Sequence, residues 1–511
     1  MSQEAGDRRQ EAGGAVGLRR LLLAAVVLLT TASAVSAQRV DLRLVEAVKR
    51  QDTAAVRVLV SEADVNATQA DGATALHWAA YRDDLATARL LIGAGADAGV
   101  SNELGVTPLD LACENANAAM VEMLLTAGAD ATAAVGSGET LLMSCARTGS
   151  VAAVRVLVAG GAEVNAREPT ENQTALMWAV AERHPAVVKL LLDSGADLHA
   201  RSRVRRKVIS RRLQSELKYG ELGRSYGTDA EETSIGGFTP LLFAARQGDI
   251  ESARLLLAAG ASVNDTAPDG ASVLVVATHS GHGTLAKFLL GHGANPNGAA
   301  AGYTALHAAV LTGDLDLVEA LLAHGARPDA QVTLATRVTR NGQVLMLGEH
   351  LLGSTPFALA AKFTEVRIMR ALAAAGADAR LPLKNGWTPL MLAASASWRY
   401  AVWDRRDRAL AKAPAFQAQM YDEDGTLAAV RSAVESGADV NAVDADGNTA
   451  LHHVVDKGFD TVVEFLAARS ADLDATNHRG QTALAIVVRG RTGNTDAAPA
   501  TADLLRSLGA Q

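Results

Sequence analysis

A hydroxyl-led tetrapeptide recurs about every 33 residues along most of this chain. Thr74-Ala75-Leu76-His77 returns as Thr107-Pro108-Leu109-Asp110, Thr140-Leu141-Leu142-Met143 and Thr174-Ala175-Leu176-Met177, and the phase persists to Thr482-Ala483-Leu484-Ala485. A fixed period of roughly 20 to 50 residues marks a solenoid, in which each unit buries its apolar face only by stacking on the next. Most of the sequence is therefore accounted for by stacking rather than by chemistry.

Each part of the unit has a physical role. Threonine at an N-cap accepts a hydrogen bond from an otherwise unpaired backbone N–H, and Pro or Ala at the next position suits the first helical turn. Ser272 stands for Thr at one of the eleven anchors and keeps the hydroxyl. Between anchors a second amphipathic stretch follows, as in Ala86-Thr87-Ala88-Arg89-Leu90-Leu91-Ile92, and then Gly95-Ala96-Asp97. That glycine supplies the left-handed residue that ends a helix. Asp-Gly turns such as Asp71-Gly72, Asp269-Gly270 and Asp446-Gly447 lead into the next anchor.

These residues resemble the ankyrin-repeat pattern Thr-Pro-Leu-His-x-Ala, and the resemblance covers nearly everything after about residue 41. It implies a mainly α fold: an ankyrin-repeat solenoid of about 12 helix-pair units, counting a capping unit from about Asp41, with β-turn fingers and three insertions. In that family, inner helices and fingers line a concave binding surface. Histidine at the fourth position follows only Thr74, Thr304 and Thr449, as His77, His307 and His452. The family's inter-repeat histidine hydrogen bonds are therefore expected at only some junctions, with the others weaker.

Residues 1–37 read as a signal peptide preceding a solenoid over 38–511. Arg19-Arg20 precedes the apolar run Leu21 to Leu29, and Val35-Ser36-Ala37 offers small residues before a cut at Gln38. Export to the periplasm or the cell exterior is the expectation, and the paired arginines also suit a twin-arginine route. An uncleaved N-terminal membrane anchor is the alternative, although the uncharged stretch is short of the ~20 apolar residues of a spanning helix. No stable transmembrane span is expected once the segment is removed.

The two cysteines fall on neighbouring repeats, Cys113 six residues after Thr107 and Cys145 five after Thr140. Helices in contact lie ~8–10 Å apart, whereas a disulfide needs Cα atoms within ~7 Å, so two buried free thiols are expected. The formal net charge of −8 gives no basic footprint for nucleic acid. Aromatic residues make up only 4% of the chain, which suits small interdigitating helix contacts.

The period fails in three places, and insertions in repeat arrays map to loops that often lie on the binding face. The first, at about 201–236, places Arg201, Arg203, Arg205, Arg206, Lys207, Arg211, Arg212 and Lys218 against Glu216 alone within residues 201–218. Such a run suits an anionic surface or partner; alternatively it is a solvated loop closing onto Glu221, Glu231 and Glu232. The second, about 331–353, alternates apolar residues around Asn341-Gly342, the signature of a hairpin. Its edge either receives a partner strand or packs on the neighbouring finger. The third, about 395–424, gathers Trp398, Tyr400 and Trp403 among arginines, either as exposed interface anchors or as a small buried cluster.

Phosphate-cradling glycine loops, nucleophile elbows, paired-His zinc helices and cysteine pairs at metal spacing are all missing from the sequence. The nearest metal-like groupings are His279 and His282 with His292, and His452-His453 with Asp456, for which structural roles are expected. No catalytic, cofactor or metal residues are assigned. The expected function is a non-enzymatic, exported protein-binding scaffold that uses its groove and inserted loops. The partner-binding candidates are Arg203, Arg205, Arg206, Lys207, Arg211, Arg212, Trp398, Tyr400 and Trp403. The alternatives are an envelope-associated protein that binds polyanions or membrane surfaces, and a secreted effector.

Overall fold

The anchors do what their chemistry requires, and twelve helix pairs follow from them among the described residues. The computed structural model describes residues 41–210, 230–334, 336–340, 343–347, 349–395, 422–489 and 499–511. The described residues fall into two compact units, one of residues 41–205 with Ser234–Pro268 and the other of Asp269–Gln511 with the described part of Arg206–Thr233, so that the strands Val204–Ser210 and Ala230–Gly236 each straddle the two.

In the first unit the pairs are α1 (Arg43–Lys49) with α2 (Thr53–Leu59), α3 (Ala75–Tyr81) with α4 (Leu85–Gly93), and α5 (Pro108–Glu114) with α6 (Ala118–Thr126). They continue with α7 (Leu141–Thr148) and α8 (Val151–Ala159), then α9 (Ala175–Ala181) and α10 (Pro185–Asp193). A two-stranded sheet of β1 (Val204–Ser210) and β2 (Ala230–Gly236) precedes α11 (Pro240–Gln247) and α12 (Ile250–Ala258).

The second unit holds α13 (Val273–His279) with α14 (Gly283–Gly291) and α15 (Ala305–Thr312) with α16 (Leu315–Ala323). The sheet of β3 (Thr336–Arg340) and β4 (Gln343–Leu347) leads to α17 (Pro356–Lys362) and α18 (Val366–Ala374). Last come α19 (Pro389–Ala394) with α20 (Glu423–Glu435), α21 (Ala450–Val454) with α22 (Asp460–Ala468), and α23 (Ala483–Arg489) with α24 (Pro499–Ser507). Within each unit the first helices of successive pairs pack on one another, and so do the second helices. No described helix is long and apolar enough to cross a membrane.

Local chemistry fixes each element. Thr74, Thr107, Thr140, Thr174, Ser272, Thr304, Thr355 and Thr388 all accept a hydrogen bond from the third backbone N–H of their helix. Two anchors differ: the Thr239 hydroxyl donates to Asp265 Oδ2 at 2.7 Å, and that of Thr449 meets His452 Nδ1 at 2.9 Å. Side chains of Asp52, Asp84, Asn117, Ser150, Asp249, Asp314 and Asp422 cap second helices in the same way. Two residues after each anchor, Leu76, Leu109, Leu142, Leu176, Leu241, Leu274, Leu306, Phe357, Leu390 and Leu451 are at most 1% exposed. Full burial of such a side chain contributes about 1.5–3 kcal/mol. Leu484, in the last described pair, is only half-buried.

Fingers stack as closely as helices. Glu103 N donates to Asp71 O at 2.9 Å, and His478 N donates to Asp446 O at 2.9 Å. Gly105 has φ of +73°, and a Cβ there would lie 2.7 Å from Gly136 N in the next finger, so both conformation and space demand glycine. Asparagines also clamp neighbouring repeats: Asn66 Nδ2 donates to Gly95 O at 3.2 Å while its Oδ1 accepts from Asp97 N at 2.8 Å. Asn165, Asn297 and Asn441 repeat this double bond.

The three anchor histidines bridge their junctions as expected. Nδ1 of His77, His307 and His452 faces the hydroxyl of Thr74, Thr304 and Thr449, and Nε2 reaches Val106 O, Ser354 O and Gln481 O at 3.0–3.2 Å. Other junctions use other devices. Ser144 Oγ donates to Asp110 Oδ1 at 3.1 Å, and Asn115 Nδ2 donates to Ala80 O at 2.8 Å.

The expectation of free thiols is overturned. Cys113 and Cys145 form a disulfide between α5 and α7, with Cα atoms 4.6 Å apart. The distance that decides is the one between Cα atoms on the facing surfaces, not the one between helix axes. Axes ~8–10 Å apart leave only about 4–5 Å between facing Cα atoms, because each helix has a Cα radius of ~2.3 Å. Such an approach needs small side chains, and Ala112, Cys113, Cys145 and Ala146 occupy this contact, all 0% exposed.

Two outcomes follow from this packing. Thiol titration in denaturant without reductant should find no free thiol, and Cys113→Ala combined with Cys145→Ala should lower stability by about 3–4 kcal/mol, as expected for a cross-link spanning 32 residues. Burial holds the fully enclosed His307 at about 4, below its ordinary 6.5, despite the backbone carbonyl of Ser354, and burial lowers His77 and His452 as well. Above pH 6.5 both folded and unfolded His307 are neutral. As pH falls from 6.5 to 4 only the unfolded chain gains the proton, so stability should drop by about 3 kcal/mol over that window from this residue alone. Denaturant titrations across the window should show a smaller drop for His307→Gln.

Candidate partner-binding face

The side chains four and seven residues after each anchor form a row across the first helices of the first unit. Finger residues meet this row: Trp78 Nε1 donates to Gln69 Oε1 at 2.6 Å, and Phe238 packs edge-on against Phe243 with centroids 5.9 Å apart. The row therefore lies on the finger side of the helices. Lys49 lies over Trp78 at 4.9 Å, Trp78 meets Tyr81 edge-on at 5.7 Å, and Arg82 lies over Tyr81 at 5.8 Å. Further along, Arg147 lies over the Trp178 ring at 5.7 Å and pairs with Glu114 Oε1 at 2.5 Å. Arg246 lies over Phe243 at 4.8 Å and over Phe238 at 5.4 Å.

Cations over aromatic faces hold planar groups in fixed orientations, and Trp, Tyr and Arg are the residue types that dominate interface energetics. Trp178 also carries an unmatched donor. Its Nε1 is buried without a hydrogen-bond partner, as is Nε of Arg147. The matching position to Gln69 is Glu168, whose carboxylate accepts instead from the backbone N–H groups of Thr170, Glu171 and Gln173. Trp178 thus lacks the acceptor that Trp78 has.

The residues named from the sequence fall differently. Arg201 Nη2 pairs with Asp265 at 2.5 Å and its Nη1 reaches Gly237 O and Thr266 O at 3.0 Å. Arg203 donates to Pro169 O at 2.6 Å, and Arg205 pairs with Glu171 at 2.5 Å. Arg203 and Arg205 thus bind the preceding finger, while Arg201 binds the following one. Arg206 lies exposed in β1 and Lys207 follows it, with the Lys207 side chain outside the described residues. The β2 partner strand carries Glu231 and Glu232. Arg211, Arg212, Trp398, Tyr400 and Trp403 lie outside the described residues.

The hairpin expected around Asn341-Gly342 is present, with Arg340 opposite Gln343 and Thr336 opposite Leu347 in antiparallel register. Its β3 strand packs against α15. Its base is fixed by Val332 N donating to Ser354 O at 2.9 Å and Thr333 N donating to Gly302 O at 2.8 Å.

The histidine groupings separate on inspection. Both ring nitrogens of His452 are engaged, and His453 Nε2 bonds Asp444 Oδ2 at 2.9 Å beneath the Trp387 ring at 4.3 Å. Burial works against the Asp444 carboxylate, but hydrogen bonds from His453 and Asn448 outweigh it and hold the group at about 2. His279 Nδ1 meets the Tyr303 hydroxyl at 3.3 Å, whereas His292 Nδ1 turns to Phe288 O. Among the described residues no three His, Cys, Asp or Glu side chains converge as a metal set.

A family model for ankyrin repeats matches residues 44–135, 130–202, 241–332 and 418–500, more than half of the chain. The chain belongs to the ankyrin-repeat family. Ankyrin repeats are generally protein–protein interaction scaffolds and are typically non-enzymatic. No curated protein matches the sequence. Among solved structures, the human ASB11 ankyrin repeat domain is 22% identical, over 56% of this chain and 98% of that one, with a TM-score of 0.37.

Trp78, Tyr81, Arg147, Trp178, Phe243 and Arg246 lie within the regular repeats, away from the three places where the period fails. Their signal was a large or charged side chain four or seven positions after an anchor, where the family pattern leaves the residue open. The two tryptophans give a direct check. Trp78→Phe forfeits its bond to Gln69 and should cost about 1 kcal/mol, whereas Trp178→Phe removes an unpaired donor and should leave stability unchanged or slightly raised in denaturant titrations.

Proposed function

We propose that this chain is a non-enzymatic protein-binding scaffold exported from the cytoplasm, holding its partner on the first-helix face of the first unit. The observation that carries the reading is the row of ring-stacked cations from Lys49 to Arg246. It combines large rigid apolar area with oriented guanidinium donors, the combination that gives interface anchors their energy. Recognition is multipoint and involves no turnover.

Export is supported by residues 1–37, whose Arg19-Arg20, apolar run and Val35-Ser36-Ala37 have the layout of a secretory signal. The Cys113–Cys145 disulfide fits an oxidising compartment, where such bonds form and persist. The inserted segments, including Arg211, Arg212, Trp398, Tyr400 and Trp403, supply a second contact region in this reading. The described arginines Arg201, Arg203 and Arg205 support the hairpin base rather than the partner.

The test is affinity capture from envelope extracts with the chain recovered outside the cytoplasm. Its amino terminus should begin near Gln38. Trp178→Ala together with Phe243→Ala should reduce the captured protein at least tenfold while the far-ultraviolet circular dichroism stays unchanged. Equal capture by that variant, or recovery only on anionic vesicles with no protein bound, would overturn the reading.

A further inference from the structure

The ring-stacked arginines on this face occur at intervals that specify a partner chemistry. Arg82, Arg147 and Arg246 belong to the first, third and fifth anchored repeats, and each lies over an aromatic ring: Tyr81, Trp178 and Phe243. Stacking fixes the plane of a guanidinium, and the edge of that fork matches the two oxygens of a carboxylate. Among the described residues, Arg82 has no carboxylate partner and is exposed. For Arg147 the sole acceptor among them is Glu114 Oε1 on Nη2, which leaves Nη1 without one.

Successive first helices lie ~8–10 Å apart, so arginines on alternate helices are ~16–20 Å apart. An extended chain rises ~3.3 Å per residue and covers that distance in about five or six residues. We propose that this face takes an extended segment of a partner protein whose Asp or Glu side chains recur every five or six residues, each seated on one of these stacked arginines. The proposal rests on the scaffold reading above and adds the chemistry of its partner. Charge complementarity supports it: the row holds three stacked guanidinium groups against Glu114, which pairs with only one edge of Arg147. The rings beside the arginines accept the apolar residues between the carboxylates.

The test uses fluorescence anisotropy of the full chain with four labelled 16-residue peptides of one Ser/Leu background. One carries three Glu five residues apart, one three Glu two apart, one three Gln five apart and one three Lys five apart. The first should bind at least tenfold more tightly than each of the others, and its affinity should fall at least tenfold in a chain bearing Arg82→Gln, Arg147→Gln and Arg246→Gln. Thermal unfolding of that variant confirms that it is folded, and Lys189→Gln with Arg254→Gln, on the second helices α10 and α12, serves as a control that should bind unchanged. Binding independent of Glu spacing, binding unchanged in the triple variant, or no binding of any peptide would overturn the proposal. Capture of a cellular protein that is undiminished in the triple variant would overturn it while leaving the scaffold reading intact; a chain that captures no protein removes both.

Discussion

The contact that the rest of this structure depends on is the close approach of successive first helices through small side chains. Ala112 and Cys113 of α5 face Cys145 and Ala146 of α7 with Cα atoms 4.6 Å apart at the cysteines. Ala79-Ala80, Ala244-Ala245, Ala360-Ala361 and Ala393-Ala394 hold the corresponding positions elsewhere, all at most 1% exposed. Val180, Thr278 and Val310 take the second of these positions in other repeats, so the contact admits a β-branched side chain, while a long or aromatic one would push apart the helices and the fingers, whose backbones are hydrogen-bonded to one another. The spacing of helices, fingers and asparagine clamps is thus a single dimension set by the thickness of this contact.

That dimension also arranges the surface. Because first helices stack in register, residues seven positions after one N-cap reach those four positions after the next, as Lys49, seven after Leu42, reaches Trp78 and Arg147 reaches Trp178. Repetition converts a spacing in sequence into a row in space. What each position contributes to the row is unconstrained by the stack, since its side chain points away from the alanine contact. The first unit fills it with rings and arginines. In the second unit the fourth positions are Val276, Ala308, Leu359, Leu392, His453 and Ile486, all buried, and β3 packs on α15.

The sequence revealed the fold through features that act locally: a hydroxyl cap, a glycine with positive φ, an apolar residue at fixed phase. Each of these is satisfied within one repeat or between neighbours, so period and chemistry were enough to find the twelve pairs and the Asn341-Gly342 hairpin. Features that depend on distance between surfaces were less legible. The Cys113–Cys145 bond was missed because an axis separation was used where atomic separation decides. The basic run offered an anionic partner or closure onto Glu221, Glu231 and Glu232, whereas the groups that Arg203, Arg205 and Arg201 engage, Pro169, Glu171 and Asp265, come from neighbouring fingers some 34–64 residues away in sequence.

The same reasoning explains why the insertions drew attention while the regular repeats hold the better-formed face. An interrupted period is visible in sequence, yet a long insertion must be anchored before it can present anything, and its nearest charges are spent on that. Arg201 and Arg203 hold the base of the β1–β2 hairpin, with bonds to Asp265 and Pro169, and Arg205 fastens it to Glu171. A residue within the regular repeat is anchored already by its helix, its cap and its neighbours. Arg147 can therefore lie over Trp178 with only Glu114 to orient it, and keep part of its fork for another molecule. Rigid support from the stack is what allows the row to be preorganised, and preorganisation is what makes a surface of modest area bind well.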